Sequence, residues 1–116
     1  MAARQGGSEA LPYKVSKRET VAETAELSVK IFTLAPGERV PWHSHSRIDD
    51  IFFCLEGEIG VETRAPARKW LLRPGERCTV KARTEHLVTN GASGTSRYLL
   101  VQGVGKYDFV PADKVP

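Results

Sequence analysis

The feature that most constrains this chain is its punctuation. Apolar, β-branched and aromatic runs of a few residues recur along it, and each is cut short by Gly, Pro or a polar turn. Pro36-Gly37 and Pro74-Gly75 mark turns, Glu56-Gly57 marks a hairpin, Ala65-Pro66 breaks the path, and NGASGTS separates the last two apolar runs. The pattern predicts strands near Leu27 to Leu34, Glu58 to Arg64, Lys69 to Leu72, Arg77 to Val80, His86 to Thr89 and Arg97 to Gln102. A further strand opens at Asp50 with IFFCLE, and Lys81 to Glu85 reads as a loop. A short helix fits Val21 to Glu26, although nothing in the pattern compels it. Short strands at regular spacing indicate an all-β sandwich or barrel, and 116 residues have room for one core and one domain.

The same pattern limits the partners. No apolar run approaches the roughly 20 residues that span a bilayer, so no membrane contact is expected. Net charge is +3, but the basic residues are scattered rather than gathered into a stripe, so nucleic acid is not an expected partner. Lys14 to Arg18, broken by Val15 and Ser16, reads as a solvated edge. Residues 1–20 read as a flexible lead-in without the apolar core of a secretory signal, leaving 21–116 as the barrel and the cytoplasm as the default location. Cys54 and Cys78 are too few for a disulfide framework and are expected to be buried free thiols. Runs such as IFFCLE and YLLVQ are apolar on both faces, so a second subunit is expected over the outer face of the sheet, giving a homodimer. In the tail, Tyr107 and Phe109 alternate in a segment bounded by Gly and Pro, read as an edge strand or clasp in preference to a pocket lid.

One stretch carries chemistry. GERVPWHSHSRIDDIFFCLEG places His43 and His45 one residue apart, with Asp49 and Asp50 close behind. Alternate side chains of a strand share a face, so the two imidazoles project together while Ser44 points away. Pro41 argues against a helix here. Asp50 opens an apolar strand, where an unpaired carboxylate is costly and a cation is one reason to keep it. Parity then turns Phe52 and Cys54 inward with Asp50, and Val88 and Asn90 inward with His86.

The stretch resembles the first motif of the cupin superfamily, which reads G, five residues, H-x-H, three or four residues, E, six residues, G. Gly37, His43, His45, Asp50 and Gly57 fit it, with Asp50 standing where the family has glutamate. Gly75, His86 and Asn90 fall on the second motif, with Lys81 and Arg83 replacing its usual proline and glycine. All three histidines of the chain thus occupy motif positions. The resemblance implies a double-stranded β-helix, the jelly-roll-like cupin barrel. It also implies a mononuclear divalent transition metal, Fe, Mn, Ni, Cu or Zn, held by His43, His45, Asp50 and His86. Small cupins include dioxygenases, metal-dependent isomerases and lyases, and non-catalytic binding modules; the dioxygenase-like reading is favoured, acting on a small-molecule substrate. No catalytic base stands out, with Glu85 and Tyr98 the candidates, and Arg47, Lys81 and Arg83 border the motifs where they would attract an anionic substrate.

Overall fold

The computed structural model describes residues 13–112. Among them the chain runs through ten strands: β1 Lys17–Glu23, β2 Leu27–Leu34, β3 Arg39–Ser44, β4 Asp49–Glu56, β5 Ile59–Arg64, β6 Ala67–Leu72, β7 Arg77–Val80, β8 His86–Asn90, β9 Ser96–Gly103 and β10 Val110–Pro111. They form two five-stranded antiparallel sheets, in the orders β1-β2-β9-β4-β7 and β10-β3-β8-β5-β6. The fold is all-β, as the Gly and Pro punctuation requires, and no helix of the described residues is long and apolar enough to cross a membrane.

The sheets face one another across a core of alternate side chains. β4 and β9 alternate between buried and half-buried positions, which puts Phe52 and Cys54 from one strand, and Tyr98 and Leu100 from the next, on the inner face. From the second sheet Val40, Ile59, Val61 and Val88 meet them, and Leu34, Ile59 and Val61 are wholly excluded from solvent. Burial of each such side chain contributes about 1.5–3 kcal/mol, so the interlock of the two inner faces sets the register of every strand. The outer face of the first sheet keeps Val21, Leu27 and Leu55 exposed.

Three expectations need correcting. Val21–Glu26 is not helical: its first half continues β1, whose register with β2 runs from Lys17↔Thr33 to Glu23↔Ser28, and a turn closed by Thr24 N–H donating to Leu27 O follows. A helix there would forfeit the pairing that covers the β2 edge. Among the described residues the first barrel strand consequently begins at Lys17, inside the expected lead-in, of which residues 1–12 lie outside the described residues. The tail is both clasp and wall. Val110↔Ser44 and Pro111↔His43 add an edge strand to β3, while Tyr107 and Phe109 line the cavity described below.

Candidate metal centre

The site is assembled where one end of each sheet meets the other. In the second sheet β3 pairs with β8 so that His43 lies directly across from His86. His45 follows just past the end of β3, on the same face as His43, as strand alternation dictates. In the first sheet Asp50, near the start of β4, sits beside Gln102 of β9. All four sequence-derived residues converge: His43, His45, Asp50 and His86 are buried, and one donor atom from each lies within 4.8 Å of the others. Asp49 is thereby excluded from the cluster, because alternation turns it outward, where its carboxylate accepts from Ala82 N–H at 2.8 Å and meets Lys81 at 3.5 Å.

Each imidazole is oriented by a backbone carbonyl. His43 Nδ1–H donates to Pro41 O at 2.7 Å, His45 Nδ1–H to Asp108 O at 2.5 Å, and His86 Nδ1–H to Thr84 O at 2.8 Å. A carbonyl can only accept, so each Nδ1 carries the proton and each neutral ring presents its Nε2 lone pair to the centre. Tautomer control of this kind is what metal-binding histidines require.

On the facing side, Gln102 Nε2–H donates to Asp50 Oδ1 at 3.0 Å, which leaves Oδ2 turned toward the rings. Oδ2 lies 3.1 Å from His45 Nε2 and 2.9 Å from His86 Nε2. Neutral rings in this tautomer would aim lone pairs at an anionic oxygen, so the arrangement demands positive charge in its midst, either protons or a cation. The electrostatics follow. Burial alone would raise the Asp50 carboxyl, but the hydrogen bonds and charges of His45 and His86 hold it well below the usual carboxylate range. Burial disfavours a charged His45, yet Asp50 outweighs it and raises the pKa. For His43, burial and then the His86 charge depress the pKa to about 3, so this ring is neutral at ordinary pH.

The donor set fits a transition metal. Three imidazole nitrogens and a carboxylate oxygen make a borderline N/O site, and bonds of about 2.1 Å place opposite ligands about 4.2 Å apart. Donors already within 4.8 Å reach that spacing with shifts of a few tenths of an ångström each. The shorter aspartate is no obstacle, since its oxygen already lies within hydrogen-bond distance of two of the rings.

Three of the four donor residues, His43, His45 and Asp50, line a cavity of about 600 Å³. Phe109 stacks on His43 with ring centroids 4.5 Å apart, and Tyr107 leans on His45 at 5.3 Å. The tail is tied down beside them by Asp108, whose carboxylate accepts from both the backbone N–H and the hydroxyl of Ser46. Phe52 and Val88 line the cavity as parity requires, but Cys54 and Asn90 do not, because both lie at the far end of their strands. Asn90 instead organises the turn before β9, donating to Gly94 O and Leu34 O.

The candidate bases fare unequally. Glu85 pairs with Arg64 at 2.9 Å and does not line the cavity. Tyr98 does line it, but burial, then the nearby Tyr13, raises its pKa well above the ordinary value, so it holds its proton. The cations expected to attract an anion are also misplaced: Lys81 meets Asp49, Arg83 Nη1–H donates to Ser46 O at 3.4 Å, and neither these nor Arg47 line the cavity. Arg18 and Lys30 do. Sequence reasoning missed both, along with Gln102. The signal for Gln102 was its place at the end of the inward-facing row Tyr98, Leu100, Gln102.

Comparisons with known proteins agree with this architecture. No match was found among curated proteins. Among solved structures, an uncharacterized conserved protein with a double-stranded beta-helix domain from Klebsiella pneumoniae subsp. pneumoniae superposes with a TM-score of 0.73 at 20% identity, covering 96% of this chain and 90% of that one. A recombinant oxalate oxidase in complex with glycolate gives 0.71 at 19% identity, covering 92% and 59%. The polyketide cyclase RemF from Streptomyces resistomycificus gives 0.71 at 19%, covering 84% and 71%. At such identities the likeness shows the shared double-stranded β-helix and no more. The cupin-domain family model matches residues 30–102, well over half the chain, and the protein belongs to the cupin family.

Proposed function

We propose that the protein is a metal-dependent enzyme acting on a small molecule, with His43, His45, Asp50 and His86 as the ligands of a divalent transition metal and dioxygenase-type chemistry as its reaction class. The observation that carries this reading is the convergence of four buried donors, from His43, His45, Asp50 and His86, within 4.8 Å of one another beside a cavity, with each ring fixed by a carbonyl behind it. Such a set fits Fe, Mn, Ni, Cu or Zn. A redox-active metal held there would supply electron transfer and open coordination positions for substrate and oxygen.

The chain's own residues hold and shape the site. Gln102 fixes the Asp50 carboxylate, Phe109 and Tyr107 cover two of the rings, and Phe52 and Val88 keep the floor apolar. The cavity wall offers little for proton transfer. Its carboxylates among the described residues are Asp50, committed to the histidines, and Glu23, paired with Lys30 at 3.4 Å. A wall without a free base favours chemistry centred on the metal. Isomerase or lyase chemistry is the second reading, and it requires Glu23 to leave Lys30 and act as the base. The oxalate oxidase whose fold is shared here binds glycolate, in keeping with a small organic acid as ligand.

Metal content by mass spectrometry on untagged protein, in parallel with His43→Ala, tests the proposal. About one redox metal per chain, lost in the variant and accompanied by oxygen uptake with organic acids, is the expected result. Zinc alone, or another metal with turnover under anaerobic conditions, moves the reading to an isomerase or lyase. A wild type that takes up no metal after reconstitution ends it.

A further inference from the structure

The cavity has a second polar wall, on the strands farthest from Asp50. Arg18 of β1 and Lys30 of β2 reach into it. Lys30 is committed: its Nζ donates to Ser28 Oγ and lies 3.4 Å from a Glu23 carboxylate oxygen. Arg18 is not, for its guanidinium makes no hydrogen bond or ion pair with any described residue. Tyr13 and Tyr107 share the cavity wall and feel the Arg18 charge. In register, Arg18 lies across from Phe32, and Phe32 across from Tyr98. Tyr98 is 1% exposed and lines the cavity, yet its hydroxyl has no hydrogen-bond partner among the described residues. Buried hydroxyls without partners are uncommon, and a ligand oxygen is one way to complete this one.

The charges of the cavity point to the same ligand. A divalent metal exceeds the Asp50 charge by one and Lys30 offsets Glu23, so one positive charge at the metal and one at Arg18 are left facing the cavity. A guanidinium presents its donors in a planar fork that matches a carboxylate. We propose that Arg18 is a specificity-determining residue that grips the carboxylate of an elongated organic acid, with the Tyr98 hydroxyl beside it, while the acid's other end reaches the metal; this rests on the metal-site reading above. β1 and β4 stand three strand spacings apart, about 14 Å of sheet, and Arg18 lies level with Tyr98, four residues or about 13 Å along β9 from Gln102 beside Asp50. Even with Arg18 extended across part of that width, a two-carbon acid does not bridge the gap, and a chain of four to six carbons is the better match.

The test is titration calorimetry on untagged, metal-reconstituted protein with its metal content verified, using oxalate, succinate and adipate. The expected result is tighter binding of succinate or adipate than of oxalate. Arg18→Gln weakens the longer acids by about tenfold or more and leaves oxalate unchanged, and Arg18→Lys recovers part of the loss. The proposal is overturned if Arg18→Gln leaves the longer acids within twofold of wild type, if oxalate weakens equally, or if none of the acids binds. Failure of the metal site is read separately, from the metal content. In that event succinate and adipate are titrated into the metal-free protein, where a loss in Arg18→Gln sustains the carboxylate grip and equal binding overturns it.

Discussion

The two ends of the barrel are built on the same strands and satisfy their buried polar groups in opposite ways. β4 begins at the metal end with Asp50 and passes Phe52 to Cys54 near the Glu56-Gly57 turn, and β8 runs from His86 through Val88 to Asn90. At the closed end the polar groups of Asn90 and Ser96 find their partners within the chain. Asn90 Nδ2 donates to Leu34 O and Gly94 O, its Oδ1 accepts from Ala92 N–H and Ser96 Oγ–H, and Ser96 Oγ in turn accepts from Glu58 N–H at 3.0 Å. At the metal end three rings and a carboxylate are complete only with positive charge among them. The closed end is therefore where the fold is secured, and the metal end is where folding leaves a demand that a ligand meets.

That contrast is broken most severely at Gly57. Its φ is +74°, and a Cβ there would collide with the Ser96 hydroxyl and come within 2.8 Å of Thr95 O. Gly57→Ala combines a strained backbone with an overpacked turn, for a cost of about 3–4 kcal/mol. The urea midpoint should fall accordingly while the folded fraction still takes up metal. Asn90→Ala comes next. It strips partners from Leu34 O, Gly94 O and Ser96 in a packed turn, and the expected loss is about 2–3 kcal/mol, again with metal stoichiometry unchanged. If either variant loses metal while still folded, the two ends are coupled and the comparison fails.

A change at the metal end should show the inverse. Asp50→Asn places an amide N–H where Oδ2 faces the Nε2 lone pairs, and its remaining oxygen can still accept from Gln102. Neutral rings are then satisfied without a cation. The metal-free variant should unfold within about 1 kcal/mol of metal-free wild type, or be more stable, since exchanging a buried charged group for a neutral fit is commonly neutral or favourable. Chelator should lower the thermal midpoint of wild type and leave that of the variant in place. A variant markedly less stable than metal-free wild type would show that the carboxylate serves the fold.

How much of this the sequence disclosed follows the range of the interactions. His43, His45 and Asp50 were legible because strand alternation and spacing act over a few residues, and His86 because a second spaced motif marks it. The aspartate in place of glutamate left the reach of the carboxylate open, and the distances to His45 and His86 answer it. What orients the rings was invisible, because Pro41, Thr84 and Asp108 contribute only their carbonyls, which leave no side-chain signature. Asp108 also lies 63 residues from the ring it holds. Arg18 escaped notice for another reason: KRETVAE lacks apolar alternation, so neither the strand nor its inward-facing cation announces itself until β2 supplies the pairing. Parity told which way Asn90 and Cys54 face, but not that the strands had by then left the cavity.

The smallest expected effect isolates what burial adds. Glu38 belongs to the turn at the closed end, where its carboxylate accepts from Ala35 N–H and from Ser16 Oγ–H, both at 2.8 Å. These are as well formed as the bonds of Asn90, and both residues are half-buried, but the partners of Glu38 are near the surface whereas Asn90 bonds to the wholly buried Leu34 and Ser96. The Ala35 N–H, ahead of the other contacts, lowers its pKa from the ordinary 4.5. A carboxyl with a depressed folded-state pKa contributes stability that is fully present above the unfolded value and lost as pH falls through the folded one. Glu38→Gln should therefore lower stability at pH 7 by less than about 1 kcal/mol, the scale of solvent-screened contacts. The gap from wild type should narrow below pH 4.5 and close once the wild-type carboxyl is protonated. Urea midpoints for both proteins at pH 7 and at pH 3 measure it. A loss at pH 7 as large as that of Asn90→Ala would mean that hydrogen-bond geometry, and not exclusion from water, sets the strength of the closed end.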